Sequence, residues 1–193
     1  MALKISTMFR KFLPMLILMK LPLNSTCEMQ SVDPCDIVRV IGIDPGTVAM
    51  GYGIIDWDGQ NFDYVESGVI LPKESDSLPL RLHAIHQEIT DIIDRYLPSE
   101  LAVEDPFVGN NVRSAFAIGQ AQSLAFISAA RVGIGVWRYS PATIKQSVTD
   151  YGRSSKDQVK EMVLSLLRME LVTNRDDEAD ALAVALCHIQ HRS

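Results

Sequence analysis

Val38-Arg-Val-Ile-Gly-Ile-Asp-Pro-Gly46 is the stretch from which the rest of the chain can be ordered. Its first six residues form a short, almost wholly apolar run, the pattern of a strand buried on both faces. It ends on an acid, followed at once by a Pro-Gly turn. Two further runs rich in Ile, Tyr, Val and Phe follow, Gly51 to Trp57 and Phe62 to Leu71, with Asp58-Gly59 between them as the tip of a hairpin. Three consecutive strands, antiparallel to one another, are expected.

The period then changes. Leu78, Leu82, Ile85, Ile89, Ile92 and Tyr96 recur at steps of three and four, which predicts an amphipathic helix stopped by Pro98. Leu101 to Glu104 is a brief strand, and Asp105 to Asn111 a Pro- and Gly-containing loop. Val112 to Arg131 is helical and small-sided through Gly119, Ala121, Ala125, Ala129 and Ala130. Such a face suits either tight core packing or a dimer contact. Gly135 to Tyr139 reads as a strand, and Pro141 to Val148 and Ser155 to Arg168 as helices. Ser155 and Gln158 are spaced for a capping box. A last helix spans about Asp177 to Gln190. The order βββ-α-β-α-β-α-α-α implies an α/β domain: a mixed five-stranded sheet, three antiparallel strands then parallel ones, flanked by helices.

Upstream, residues 1–36 stand apart. Arg10 and Lys11 precede an apolar run, Phe12 to Met19, that is broken by Pro14 and closed by Lys20 with no small-residue cleavage site after it. The segment reads as an extension outside the fold, disordered or a leader, or as the product of a start placed too far upstream, with Met29 an internal alternative. Residues 37–193 form the domain. Cys27, Cys35 and Cys187 make an odd set without a Cys-x-x-Cys pair, which argues against a disulfide framework and a zinc site and fits a reducing cytoplasm. No run is long enough to span a membrane.

The net charge of −6 is unusual for a nucleic-acid binder, but the charge is unevenly placed. Between Arg138 and Arg168 six basic residues face three acidic ones. Acids gather instead at Asp176–Asp180 and near Glu104. Asp44 and Glu104 each end a strand, and Asp177 and Asp180 share one face at the start of the last helix. If the first and fourth strands are neighbours, Asp44 and Glu104 end side by side, and the last helix can close a cluster of four carboxylates. Such a cluster repels itself unless cations fill it. Hard oxygen ligands favour Mg²⁺, with Mn²⁺ able to substitute. Two such ions about 3.5–4 Å apart are a standard device for phosphodiester cleavage. Singly, each acid is equally well a turn former, a helix cap or a strand-end carboxylate. Their joint placement favours chemistry.

Six stretches together resemble the RuvC family of Holliday junction endonucleases, which have an RNase H-like fold. They are Ile41-Gly-Ile-Asp-Pro-Gly46 with Gly51-Tyr-Gly53; Leu101 to Glu104; Ser114-Ala115 with Gly119-Gln-Ala121; Lys145 to Gly152; Lys156-Asp-Gln-Val159; and Asp177 to Ala183. The resemblance covers residues 38 to 191. It implies a homodimeric nuclease that resolves four-way DNA junctions by paired symmetric nicks, in recombination and repair. It implies that Asp44, Glu104, Asp177 and Asp180 hold two Mg²⁺ ions, and that a RuvA–RuvB-type branch-migration complex is a partner. Lys145, Arg153, Lys156 and Asn111 become candidate DNA contacts, and Phe107 a stacking wedge. Asp105-Pro106 after Glu104, and Asn110, depart from the family pattern and touch the junction contacts, not the metal set.

His188 and His191 could bind metal, but no third ligand is near in sequence, so they read as surface residues of the last helix. A sugar kinase or actin-like ATPase also opens with a strand, an acid and a Gly-rich turn, here Asp44-Pro-Gly-Thr47. Its second lobe and second phosphate loop have no room here. An RNase H-like nuclease for another substrate, and a non-catalytic junction binder, are the remaining rivals.

Overall fold

The computed structural model describes residues 37–105, 112–169 and 176–192. The segment 1–36, Phe107 and Asn111 lie outside the described residues. Ten elements follow in the expected order: β1 (Val38–Asp44), β2 (Met50–Trp57), β3 (Phe62–Ile70), α1 (Leu78–Tyr96), β4 (Glu100–Glu104), α2 (Val112–Val132), β5 (Gly135–Tyr139), α3 (Pro141–Thr149), α4 (Lys156–Leu167) and α5 (Asp176–His191). The strands form one sheet in the order β3-β2-β1-β4-β5. β1–β2 and β2–β3 are antiparallel, while β1–β4 and β4–β5 are parallel.

Strand alternation assigns the two faces. Ile41, Ile43, Ile54, Leu101 and Val103 point to one side, where α1 and α2 cover them with Ile85, Ile89, Ile93, Ala121, Ala125 and Ala129. Val40, Ile55 and Ala102 point to the other, under α3, α4 and α5. Glu104 shares this second face with Ala102, and Asp44 shares it with Val40. Both carboxylates therefore aim at α5.

The helix boundaries follow local chemistry. Pro98 cannot continue α1, and Leu97 before it turns left-handed at φ 50°, its N–H returning to the Ile93 carbonyl. Ser155 accepts from the Gln158 N–H while the Gln158 side chain accepts from the Ser155 N–H, completing the capping box of α4.

α5 is the helix that brings the acids to the sheet. From Ala179 to Ile189 nearly every residue is buried. A helix apolar all round belongs inside the protein, here between sheet and outer helices. It approaches the strands closely because their contact points are glycines. A Cβ at Gly42 would run into the backbone of Ala181 and Ala185, and one at Gly51 into the backbone of Asp177. At Gly53 it would lie 2.7 Å from the Leu182 side chain.

The far end of α5 is also fastened. His188, 1% exposed, is not the surface residue that the lack of a nearby third ligand implied. Its Nε2 is 2.7 Å from Glu100 and its Nδ1 2.8 Å from the Tyr139 hydroxyl, and the Trp137 ring lies 4.6 Å away. Glu100 also accepts from Arg192 at 2.9 Å. The physical reason is the burial of α5 on every side, which leaves a polar residue one option, an internal partner.

Candidate active site

The parallel register Ile43↔Val103 sets the next residues, Asp44 and Glu104, level at adjacent strand ends. α5 runs over them, so Asp180 faces the same space. Asp44, Glu104 and Asp180 line a cleft of about 210 Å³ together with Lys145, Lys156, Pro141, Ile144, Val159 and Ala183. Asp177 stands one helical turn before Asp180 and acts on Asp44 through its charge without lining the cleft. Among the described residues no three acidic, His or Cys side chains are already closed at metal-ligating distance. The acids surround the space rather than meet at a point.

The electrostatics follow from burial and crowding. Burial, and then the charges of Glu104, Asp180 and Asp177, push the Asp44 carboxyl up to about 8, against a smaller pull from Lys156. Burial and Asp180 push Glu104 up to about 7, opposed by Lys156 and Lys145. Carboxyls raised in this way are held in a form that a cation would reverse, since positive charge favours ionisation. The donor set is all oxygen, with no His or Cys in the cleft lining, and suits a hard divalent cation.

Two lysines of α4 bridge to α5. Lys156 Nζ donates to Asp180 at 2.8 Å, and Lys160 Nζ to Asp176 at 3.0 Å. The Asp180 hydrogen bond raises the Lys156 pKa, so its ammonium is firmly charged at the mouth of the cleft. Lys145 enters from α3. The turn between α3 and α4 is stitched by Thr149, whose hydroxyl donates to the Lys145 carbonyl and lies 2.7 Å from the buried Ser154 hydroxyl. That stitch fixes the two lysines relative to each other. Arg153, also in this turn, is exposed and lies away from the cleft lining.

Of the sequence candidates, Asp44, Glu104, Asp180, Lys145 and Lys156 are thus brought together, Asp177 lies at their edge and Arg153 outside. What the spacing of residues missed was the His188–Glu100–Tyr139 network behind the site. The one available signal was the all-round apolar character of α5.

A family model described as crossover junction endodeoxyribonuclease RuvC matches residues 40–188. The protein of that name from Dehalococcoides mccartyi is 42% identical over 156 residues, 81% of this chain and 94% of its own length. Its counterpart from Magnetococcus marinus is 41% identical over 164 residues, 85% of this chain and 89% of its own. Among solved structures, T. thermophilus RuvC in complex with a Holliday junction substrate superposes with a TM-score of 0.75 at 28% identity, covering 80% of this chain and 94% of that one. The yeast mitochondrial Holliday junction resolvase Ydc2, at 13% identity and a TM-score of 0.60 over 79% of this chain and 78% of its own, shares the RNase H-like fold. Nucleases of this kind are metal-dependent. With its acids, lysines and sheet in this order, the chain belongs to the RuvC family of crossover junction endodeoxyribonucleases.

Proposed function

We propose that this protein resolves four-way DNA junctions by hydrolysing one phosphodiester in each of two symmetry-related strands, with Asp44, Glu104, Asp177 and Asp180 as the metal-binding carboxylates. The observation that carries the reading is the convergence of Asp44, Glu104 and Asp180 on one cleft whose rim holds Lys145 and Lys156. Two Mg²⁺ ions, with Mn²⁺ as a substitute, match an all-oxygen donor set. Bound there, they supply charge neutralisation and Lewis acidity for phosphodiester hydrolysis.

The chain's own residues do the rest. Asp44 and Glu104, crowded by Asp180, hold their protons near neutral pH until a cation displaces them. Lys156 and Lys145 meet backbone phosphates and hold the scissile strand against the cleft. Phe107 and Asn111, which follow β4 in the sequence, complete the junction contacts, and Arg153 adds a further phosphate contact.

A homodimer fits paired nicks, because two identical sites related by a twofold axis act on two symmetric strands. The outer face of α2 supports it: Val112 and Phe116 are 66% and 72% exposed beside Ala115 and Gly119. A RuvA–RuvB-type complex that moves the junction is the natural partner, and the cytoplasm the place of action.

The test is incubation of the purified protein with a labelled four-way junction, a flap and a plain duplex, each with Mg²⁺ and with EDTA. Metal-dependent, paired nicks in the junction alone are expected. Cutting of flap or duplex in preference to the junction overturns the substrate. Binding without cutting in any metal overturns the catalytic reading.

A further inference from the structure

The end of β4 carries Glu104 and lacks a ladder donor on its β1 side. β1 and β4 pair up to Ile43↔Val103, and β1 then runs through Asp44 into Pro45, which has no N–H to give. On the other side the Asp105 N–H donates to the Tyr139 carbonyl of β5 at 2.8 Å. NH and CO groups of successive strand residues alternate in direction, so the Glu104 carbonyl faces the side that Pro45 leaves empty. A buried carbonyl without a donor is costly.

The donor comes from another element. Gln122, on the inner face of α2 and 5% exposed, places Nε2 3.1 Å from the Glu104 carbonyl oxygen. The same amide nitrogen donates to Asp105 Oδ1 at 3.0 Å. Its two protons are therefore both used, one on each residue at the end of β4. Asp105 Oδ1 is held from outside as well, by Arg138 Nε of β5 at 2.6 Å. Gln122 and Arg138 grip that one oxygen from two sides, which orients the amide that reaches Glu104.

We propose that Gln122 is a positioning residue for the metal site: it supplies the ladder bond that Pro45 cannot and so fixes the backbone from which the Glu104 carboxylate projects. Gln122 is absent from the cleft lining and acts only through the main chain of its neighbour. The inference rests on the reading of Glu104 as a metal ligand. The Asp105 carboxylate, held by Arg138, anchors the Gln122 amide.

The experiment compares wild type with Gln122→Met, which keeps the side-chain length and loses both donors. Mn²⁺ binding is followed by electron paramagnetic resonance of the free ion, junction binding in Ca²⁺, and cleavage under single turnover. Loss of one hydrogen bond at a metal ligand's backbone is expected to weaken Mn²⁺ binding and slow cleavage about tenfold while the junction Kd is unchanged. Wild-type Mn²⁺ affinity and rate in a folded variant overturn the proposal, and so does an equal loss in junction binding. If Gln122→Met does not fold, Asp105→Asn decides: it keeps an oxygen acceptor, removes the charge, and is expected to shift both quantities about threefold. Wild-type values there overturn the proposal equally. Glu104→Gln is run alongside. Undiminished Mn²⁺ binding and cleavage in that variant would strike down the metal-site reading itself, a result distinct from any effect at Gln122.

Discussion

Asp44 stands at the most crowded point of the cleft, and its substitution separates binding from chemistry. Asp44→Asn should cut junctions at least about a thousandfold more slowly if Asp44 is a ligand of the reacting metal, while junction binding persists. A variant that nicks at the normal rate would remove Asp44 from the metal site. The same change should raise the melting temperature in EDTA near neutral pH, because Asn avoids the cost of the proton that Asp44 must take up on folding. Lys156→Ala should slow cleavage without loss of fold, its ammonium lying beside Asp180 at the rim. An unchanged rate would return Lys156 to a solvated face.

The pH dependence follows from the same residues. In an unfolded chain both carboxyls lose their protons near about 4. In the folded, metal-free protein Asp44 keeps its proton to about 8 and Glu104 to about 7. Between those limits the folded state binds more protons than the unfolded one, so the stability of the metal-free protein falls as pH rises through that window. A divalent cation requires the ionised forms, so it binds more tightly as pH rises through about 7 to 8 and releases protons as it does so. Thermal melts with Mg²⁺ and with EDTA at about pH 6 and about pH 8 should show the larger metal-induced rise at the higher pH. A rise independent of pH would exclude these carboxyls as the ligands.

At the scale of elements, the catalytic geometry is set by how α5 lies on β1 and β2. Gly51→Ala would drive a Cβ into the Asp177 backbone, with its carbonyl carbon at 2.7 Å. The helix must lift, at a cost of about 1–3 kcal/mol, carrying Asp177 and Asp180 away from Asp44. Urea unfolding and Mn²⁺ titration of this variant should show both losses. A folded, fully metal-binding Gly51→Ala protein would mean that α5 adjusts without moving its acids.

Much of this arrangement was legible in the sequence. The apolar run Val38–Ile43, the hairpin at Asp58-Gly59 and the three-and-four spacing of α1 each state a local preference that packing then obeys. The adjacency of Asp44 and Glu104 followed once β4 returned parallel to β1. His188 escaped because a helical repeat shows which residues share a face but not that every face of α5 is covered. Gln122 escaped for a related reason. Its value lies in the missing N–H of Pro45, some eighty positions away, and only the register of β1 against β4 relates the two.

Over the whole molecule, the question is how an acidic protein handles DNA. Its net charge of −6 is offset locally by Lys145 and Lys156 at the cleft, while Lys160 is turned toward Asp176. The outer face of α2 is the opposite, apolar and open around Phe116. If two copies meet there, Phe116→Glu should give a monomer in sedimentation experiments, and junctions should then receive single nicks instead of symmetric pairs. A dimer that survives this change would place the contact elsewhere.

The glycine seat of α5 bears on how any survey of substitutions in this chain should be read. Gly42, Gly51 and Gly53 have no functional group and no titratable proton. Yet at Gly42 and Gly51 main chain rests directly on α5, with no side chain between to absorb an error, and at Gly53 it rests against the Leu182 side chain. A scan scored on activity alone would rank them beside Asp44 and Glu104 and suggest a larger chemical site than exists. Scored on folding as well, the two groups would part, glycines failing in both and acids in one.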